Sequence, residues 1–284
     1  MDQINEPIQP KGISYGRFIK LVLWIFAIEM AISFAVGMPM YGIERLGLEG
    51  FSRYSGAVGS IVTCFVLLER FCHKRNFKLR ITYLPKVQDL FIITGLLFGY
   101  TLVFSNTIGL VLEDVEVASW VLEAFEDLAK APIALVLDVA ILAPIIEEVI
   151  YRGIFLEYLS QRYGNVKALV LSSGIFAIVH FNLHQSVNAF LLGLILGIIY
   201  LRTKSLLHSI IVHMINNGIV VAVMLAFPSQ MTTDVQYGFE WSSLLVGIVF
   251  LGMGLRYIYK YEPSENRRIQ LKNTWHKYFM DESS

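Results

Sequence analysis

Apolar residues in this chain gather into windows of about twenty, the length a helix needs to cross the hydrocarbon core of a bilayer. The windows recur along nearly the whole sequence and predict helices near 18–38, 56–72, 89–112, 131–159, 166–183, 186–201, 205–227 and 241–259. The third is bounded by Asp89 and by Glu113 with Asp114, and the fourth opens at Pro132, a residue suited to a first helical turn. The expected fold is all-α, a polytopic membrane bundle of about eight spanning helices. Its expected divisions are a three-helix N-terminal region (1–130), a core of the fourth to seventh helices (131–227), and a last helix with a tail (228–284).

Composition supports the membrane as the solvent. Hydrophobic residues make up 55% of the chain and charged residues 16%, with a mean hydropathy of +0.58, whereas soluble domains carry about 25% charged residues. The first window starts late, runs long and lacks a small-residue cleavage site, so it is expected to stay as a helix and not to be removed as a signal peptide. Cys64 and Cys72 both fall in the second window, about 12 Å apart along a helix, too far to form a disulfide.

The net charge of zero hides an asymmetry. Lys11, Arg17, Lys20, Arg70, Lys74, Arg75, Lys78, Arg80, Lys86, Arg162, Lys167, Arg202 and Lys204 fall on one set of alternate connections. The tail adds Arg256, Lys260, Arg267, Arg268, Lys272 and Lys277. The opposite side has Arg45, Arg53 and Lys130, with an acidic loop of Glu113, Asp114, Glu116, Glu123, Glu126 and Asp127. Basic short loops favour the cytoplasm, so both termini are expected there, in a plasma or internal membrane. The basic side suits anionic lipid. No nucleic-acid motif, phosphate-binding loop or fixed repeat is present, which excludes those partners and nucleotide-driven transport from the reading.

Against this apolar ground the chemistry is concentrated. Glu147, Glu148 and Arg152 lie on the fourth predicted helix, His180 on the fifth, and His213 with Asn217 on the seventh. A central Asp, Lys or Arg costs roughly 2.5–3.5 kcal/mol on insertion scales, so such a cluster implies a function. Glu148 with Arg152, and His213 with Asn217, are four residues apart and share a helix face. Glu147 and Glu148 point about 100° apart and should hold different roles. Counting from Gly164 puts Glu147 and His180 level, with His213 somewhat shallower. Pro144 removes one helical hydrogen bond just before Glu147 and permits a kink there.

In order and spacing these residues resemble the membrane-embedded CAAX-protease and bacteriocin-processing family, which includes the type II CAAX prenyl endopeptidases and Abi-type proteins. E-E-x-x-x-R is met by Glu147, Glu148 and Arg152, F-x-x-x-H by Phe176 and His180, and H-x-x-x-N by His213 and Asn217. Phe190, Gly193, Gly197 and Tyr200 follow the family's F-x-x-G-x-x-x-G-x-x-Y helix. The likeness covers about residues 131–220. It implies an intramembrane endopeptidase in which Glu147 is the general base, His180 helps hold the water, His213 and Asn217 form an oxyanion hole, and Arg152 pairs with Glu148. It also implies a peptide or protein substrate, prenylated or unmodified, and no cofactor.

Several residues have plainer readings. Gly193 and Gly197 suit close helix packing, Asp138 suits a local hydrogen bond, His208 an interfacial position about 140° round from His213, and Asn216 competes with Asn217 by spacing. The rival chemistry is a zinc site using His180 and His184, four apart, with Glu147 or His213 as third ligand, although His180-Phe-Asn-Leu-His184 lacks the Glu of the zinc-protease motif. From other classes stand a non-catalytic immunity or binding protein and a proton-coupled transporter; the absence of an inverted repeat weighs against the transporter.

Overall fold

The computed structural model describes residues 12–73, 77–81, 83–227, 238–262 and 279–280. Lys11, Lys74, Arg75, Arg267, Arg268, Lys272 and Lys277 lie outside these residues, as does most of the expected 228–284 division. The described helices are α1 (Tyr15–Glu44), α2 (Phe51–Cys72), α3 (Val87–Ser105), the short α4 (Ile108–Leu112), α5 (Ser119–Ala129), α6 (132–163), α7 (Asn165–Ile178), α8 (Leu183–Thr203), α9 (Leu206–Ala226) and α10 (Trp241–Tyr259). The described strands are two residues each: Leu79–Arg80 pairs in parallel with Phe279–Met280. The protein is an all-α polytopic membrane protein.

Six of these helices, α1, α2, α3, α8, α9 and α10, are long and apolar enough to cross a membrane. The other two predicted spans take a different form. α6 is a continuous run in which π-helical turns, Val136–Leu142 and Val149–Leu156, flank the α-helical segment Ala143–Glu148. At Pro144, where a kink is expected, the helix widens: the proline has no N–H for the carbonyl four residues back, and the wider turn ends just before it. The fifth span, expected over 166–183, stops at Ile178. Phe181 takes φ 50°, and the Asn182 side chain accepts the Gln185 N–H at 3.2 Å to cap α8, so α7 cannot run on into α8. The third window likewise ends at Ser105, where Asn106 donates to the Leu102 carbonyl at 2.9 Å.

Gly164, at φ +79°, turns the chain between α6 and α7, a conformation that side chains with a Cβ resist. Two apolar cores then meet along α8 and α9. One gathers Phe18, Phe71, Ile150, Phe155 and Phe176 from α1, α2, α6 and α7. The other gathers Ile93 and Leu96 of α3, Leu196 of α8, Val212 of α9 and Ile258 of α10. Lipid is as apolar as these side chains, so close packing is what holds the helices together. At Gly99 a Cβ would stand 2.4 Å from the Leu251 backbone nitrogen and 2.8 Å from the Gly247 carbonyl oxygen, so α3 and α10 touch backbone to backbone.

The loop read as merely acidic contains a helix, α5, tied to the start of α2 where Arg53 Nε and Nη2 donate to Asp127 at 3.1 and 2.9 Å. That pair, with Lys130 at 3.4 Å, holds the Asp127 carboxyl below its ordinary value of 3.8. Cys64 and Cys72 are free thiols.

Candidate functional site

The polar residues of α6 and α9 converge. The two adjacent glutamates part as their angular separation requires. Glu148 is fully buried; its Oε1 accepts from Arg152 Nη1 at 2.6 Å and from His213 Nδ1 at 2.9 Å. The Glu147 side chain keeps 27% exposure, and its Oε2 stands 3.6 Å from His213 Nε2. A paired carboxylate can only accept, so His213 carries a proton on Nδ1 and turns Nε2 to Glu147. His213, expected somewhat shallower, is therefore at the same depth as Glu147.

Arg152 holds three helices at once. Its second nitrogen donates to the Gly193 carbonyl on α8 at 3.1 Å, and its guanidinium lies 4.8 Å from the centre of the Phe176 ring on α7. Gly193 is needed for that approach, because a Cβ there would meet Ser173 at 3.1 Å and Phe176 at 3.3 Å. Gly193 and Gly197 are thus packing glycines against α7. Phe176 is the hub of the cluster: His180 meets it edge-on at 5.0 Å and His213 at 5.9 Å between ring centres.

His180 sits in the turn after α7, not on a spanning helix. Its Nδ1 lies 2.8 Å from the Phe176 carbonyl, which only accepts, so Nε2 is left with its lone pair exposed. It interacts electrostatically with Glu147. The next residue, Phe181, is in the left-handed region, a costly conformation for a bulky side chain and one that clusters at functional sites.

Asn217 donates to the Val139 carbonyl in the first π turn of α6 at 3.0 Å, and Asn216 donates to the Asn217 oxygen at 3.2 Å. The two asparagines are therefore partners: Asn216 orients Asn217, whose amide keeps one further N–H. His180 lies in the turn after α7 and His184 in the first turn of α8, so the two histidines of the zinc spacing do not share one helix face. Among the described residues no three His, Cys, Asp or Glu side chains gather as metal ligands. Asp138 packs against Gly56 of α2.

His208, expected at the interface, is instead 0% exposed. Its Nε2 lies 3.2 Å from the Tyr261 hydroxyl and 4.0 Å from Asp89. At the depth of His208, the side of α9 away from His213 faces Asp89 of α3 and Tyr261, which follows α10. Tyr200 of the glycine helix donates to Glu157 at 2.7 Å, which also faces Arg80 at 3.5 Å. Sequence reasoning passed over Glu29 on α1, although a single carboxyl inside an apolar span was signal enough.

A multi-helix membrane bundle that buries a carboxylate, guanidinium and imidazole cluster beside a second, partly open carboxylate belongs to the class of intramembrane polar-site proteins. Within that class the ordered motifs have a match. Residues 129–219 match the family model of Rce1-like, type II CAAX prenyl endopeptidase, which bears out the likeness read from the sequence. The membrane-embedded CAAX protease MroQ of Staphylococcus aureus (strain USA300) is 32% identical over 153 residues, 50% of this chain and 62% of that protein. YdiL of Bacillus subtilis (strain 168), a provisionally named membrane peptidase, is 29% identical over 133 residues, 45% of this chain and 52% of that protein. The matches thus cover between half and two thirds of each relative's length.

Proposed function

We propose that the chain is an intramembrane endopeptidase in which Glu147 activates water and Glu148, Arg152 and His213 form the frame that aims it. The observation carrying this reading is the division of labour between neighbours: Glu148 is sealed against Arg152 and His213, while Glu147 is left partly open opposite His213 Nε2. A base must reach the proton it removes, and Glu147 has the access that Glu148 lacks.

In the proposed reaction, Glu147 takes a proton from water as the water oxygen bonds to the scissile carbonyl carbon. His180 Nε2 accepts the other water hydrogen and fixes the attack. The oxyanion is met by the free N–H of Asn217 and, when His213 is an imidazolium, by its Nε2–H; one such donor is worth about 10²- to 10³-fold. The C–N bond then breaks as the proton on Glu147 moves to the leaving nitrogen. No metal enters this reading. Both relatives are named as peptidases, and only one of the names carries the CAAX term, so the substrate is a peptide with or without a prenyl group. The orientation proposed with this mechanism places both termini in the cytoplasm.

The test is cleavage by purified full-length protein in lipid discs, offered a prenylated tail peptide and an unmodified membrane peptide. The parent should cut one of them, and a Glu147→Gln chain of equal folding should lose that activity. A Glu147→Gln protein as fast as the parent removes the general base and the reading with it. A cellular effect that persists in this variant would favour a non-catalytic binding role.

A further inference from the structure

α1 brings a carboxyl to the polar centre from outside the stretch that matches the family. The helix is apolar enough to span a membrane, yet Glu29 lies near its middle. At about 100° per residue, Glu29 falls about 20° from Phe18 and about 40° from Ile25, which are buried residues on that half of α1. The carboxyl therefore lies on the stripe that faces the bundle.

Its depth follows from aromatic contacts. Phe18 meets Phe155 of α6 edge-on at 5.2 Å, and Phe26, three residues before Glu29, meets Phe181 beside His180 at 6.2 Å. Glu29 lies about 16 Å along α1 from Phe18, and Glu147 lies about 12 Å along α6 from Phe155. With α1 and α6 running in opposite senses, the two carboxyls stand within about one turn of level. They interact electrostatically with each other, and Tyr151 interacts with both. Among the described residues Glu29 has no hydrogen bond and no ion pair. Arg152 is engaged by Glu148 and the Gly193 carbonyl.

Two carboxyls at one depth, neither of them hydrogen-bonded to Arg152, repel each other less when the pair holds one proton between them. We propose that Glu29 is the proton-sharing partner of Glu147, a positioning residue supplied by the first helix. The inference rests on Glu147 being the base. Glu29 keeps its proton throughout turnover and donates that O–H toward Glu147 and the attacking water. The proton that moves is the one taken from water by Glu147 and passed to the leaving nitrogen. The charged and titratable groups around the pair are Asp138, Glu148, Tyr151 and Arg152 on α6, His180 after α7 and His213 on α9, with Cys64 of α2 in the adjoining core. The site is then incomplete without α1.

The experiment compares full-length parent, Glu29→Gln, Glu29→Asp and Glu147→Gln by infrared spectroscopy at neutral pH and by cleavage of whichever peptide the parent cuts. The parent should show a protonated-carboxyl C=O band that weakens in Glu29→Gln. In that variant kcat should fall about tenfold, the size of one hydrogen bond to a charged group, with KM within about twofold and a displaced pH profile, and Glu29→Asp should recover part of the rate. A folded Glu29→Gln protein with undiminished band, or with unchanged kcat and pH profile, overturns the proposal. So does a rise in KM alone, which would make Glu29 a substrate contact. Should Glu29→Gln not fold, the band is read in Glu147→Gln, where breaking the pair from its other side must shift it; an unshifted band overturns the proposal. Cleavage by Glu147→Gln as fast as by the parent would instead defeat Glu147 as the base, and the infrared measurement needs no substrate.

Discussion

α9 carries two histidines five residues apart, and each is buried beside a carboxylate; the difference between their surroundings separates a site from a strut. At the α6 end, His213 is held by Glu148 at 2.9 Å and faces a partly exposed Glu147. At the α3 end, Asp89 has no exposure and is saturated: it accepts from the Lys86 backbone N–H at 2.8 Å, from Tyr257 at 2.5 Å and from Tyr261 at 3.3 Å, with His208 beyond at 4.0 Å. Both clusters bury polar groups among the helices. Only the first leaves a carboxyl open.

The largest test of this contrast removes a charge from the sealed part of the first cluster. Arg152→Leu leaves Glu148 buried without its guanidinium and should lower stability by about 3–5 kcal/mol, read as the unfolding midpoint in detergent; a midpoint equal to the parent's would mean that the ion pair holds nothing. Next comes Glu147→Gln, where the sign reverses between readouts: kcat should drop about 10²-fold or more while the unfolding midpoint stays near the parent value. Asp89→Ala should behave in the opposite way, losing about 1–3 kcal/mol of stability through two stranded tyrosine hydroxyls and sparing kcat in the folded fraction. A catalytic loss there without a stability loss would erase the distinction between strut and site.

The smallest effect lies outside the membrane, at Asp127. Its folded carboxyl sits below 3.8 because Arg53 hydrogen-bonds it, so the contribution is present in full above 3.8 and fades as pH falls through the lowered value. The side chain is 50% exposed, so Asp127→Asn should cost well under about 1 kcal/mol at neutral pH. The gap between variant and parent should close on acidification; a gap that widens in acid would contradict the pairing.

Much of the open cluster was legible because its members repeat at helical spacing: Glu148 with Arg152, and His213 with Asn217. Order along the chain then connected them to Phe176 and His180. The break after Ile178 was hidden because Val179, Phe181 and Leu183 continue the apolar run; only the cap at Asn182 marks it. The π turns around Glu147 and Glu148 have no sequence sign beyond Pro144, since they arise from how α6 meets α2, α7 and α9. His208 was placed at the correct angle from His213, but angle alone cannot say whether lipid or another helix lies on that side. Glu29 was readable as an isolated charge in an apolar span, but its depth relative to Glu147 follows only from the contacts of Phe18 and Phe26.

The three-helix grip of Arg152 has a consequence for biosynthesis. The chain is made from its N-terminus, so α6 leaves the ribosome with Glu147, Glu148 and Arg152 before Phe176, Gly193 and His213 exist. Its insertion then carries the full cost of mid-membrane charge, apart from the pair it can form along its own length. α6 should therefore linger at the translocon or the membrane surface and enter the bilayer together with α7 to α9, so that the helix bearing the proposed chemistry is one of the last to take its place.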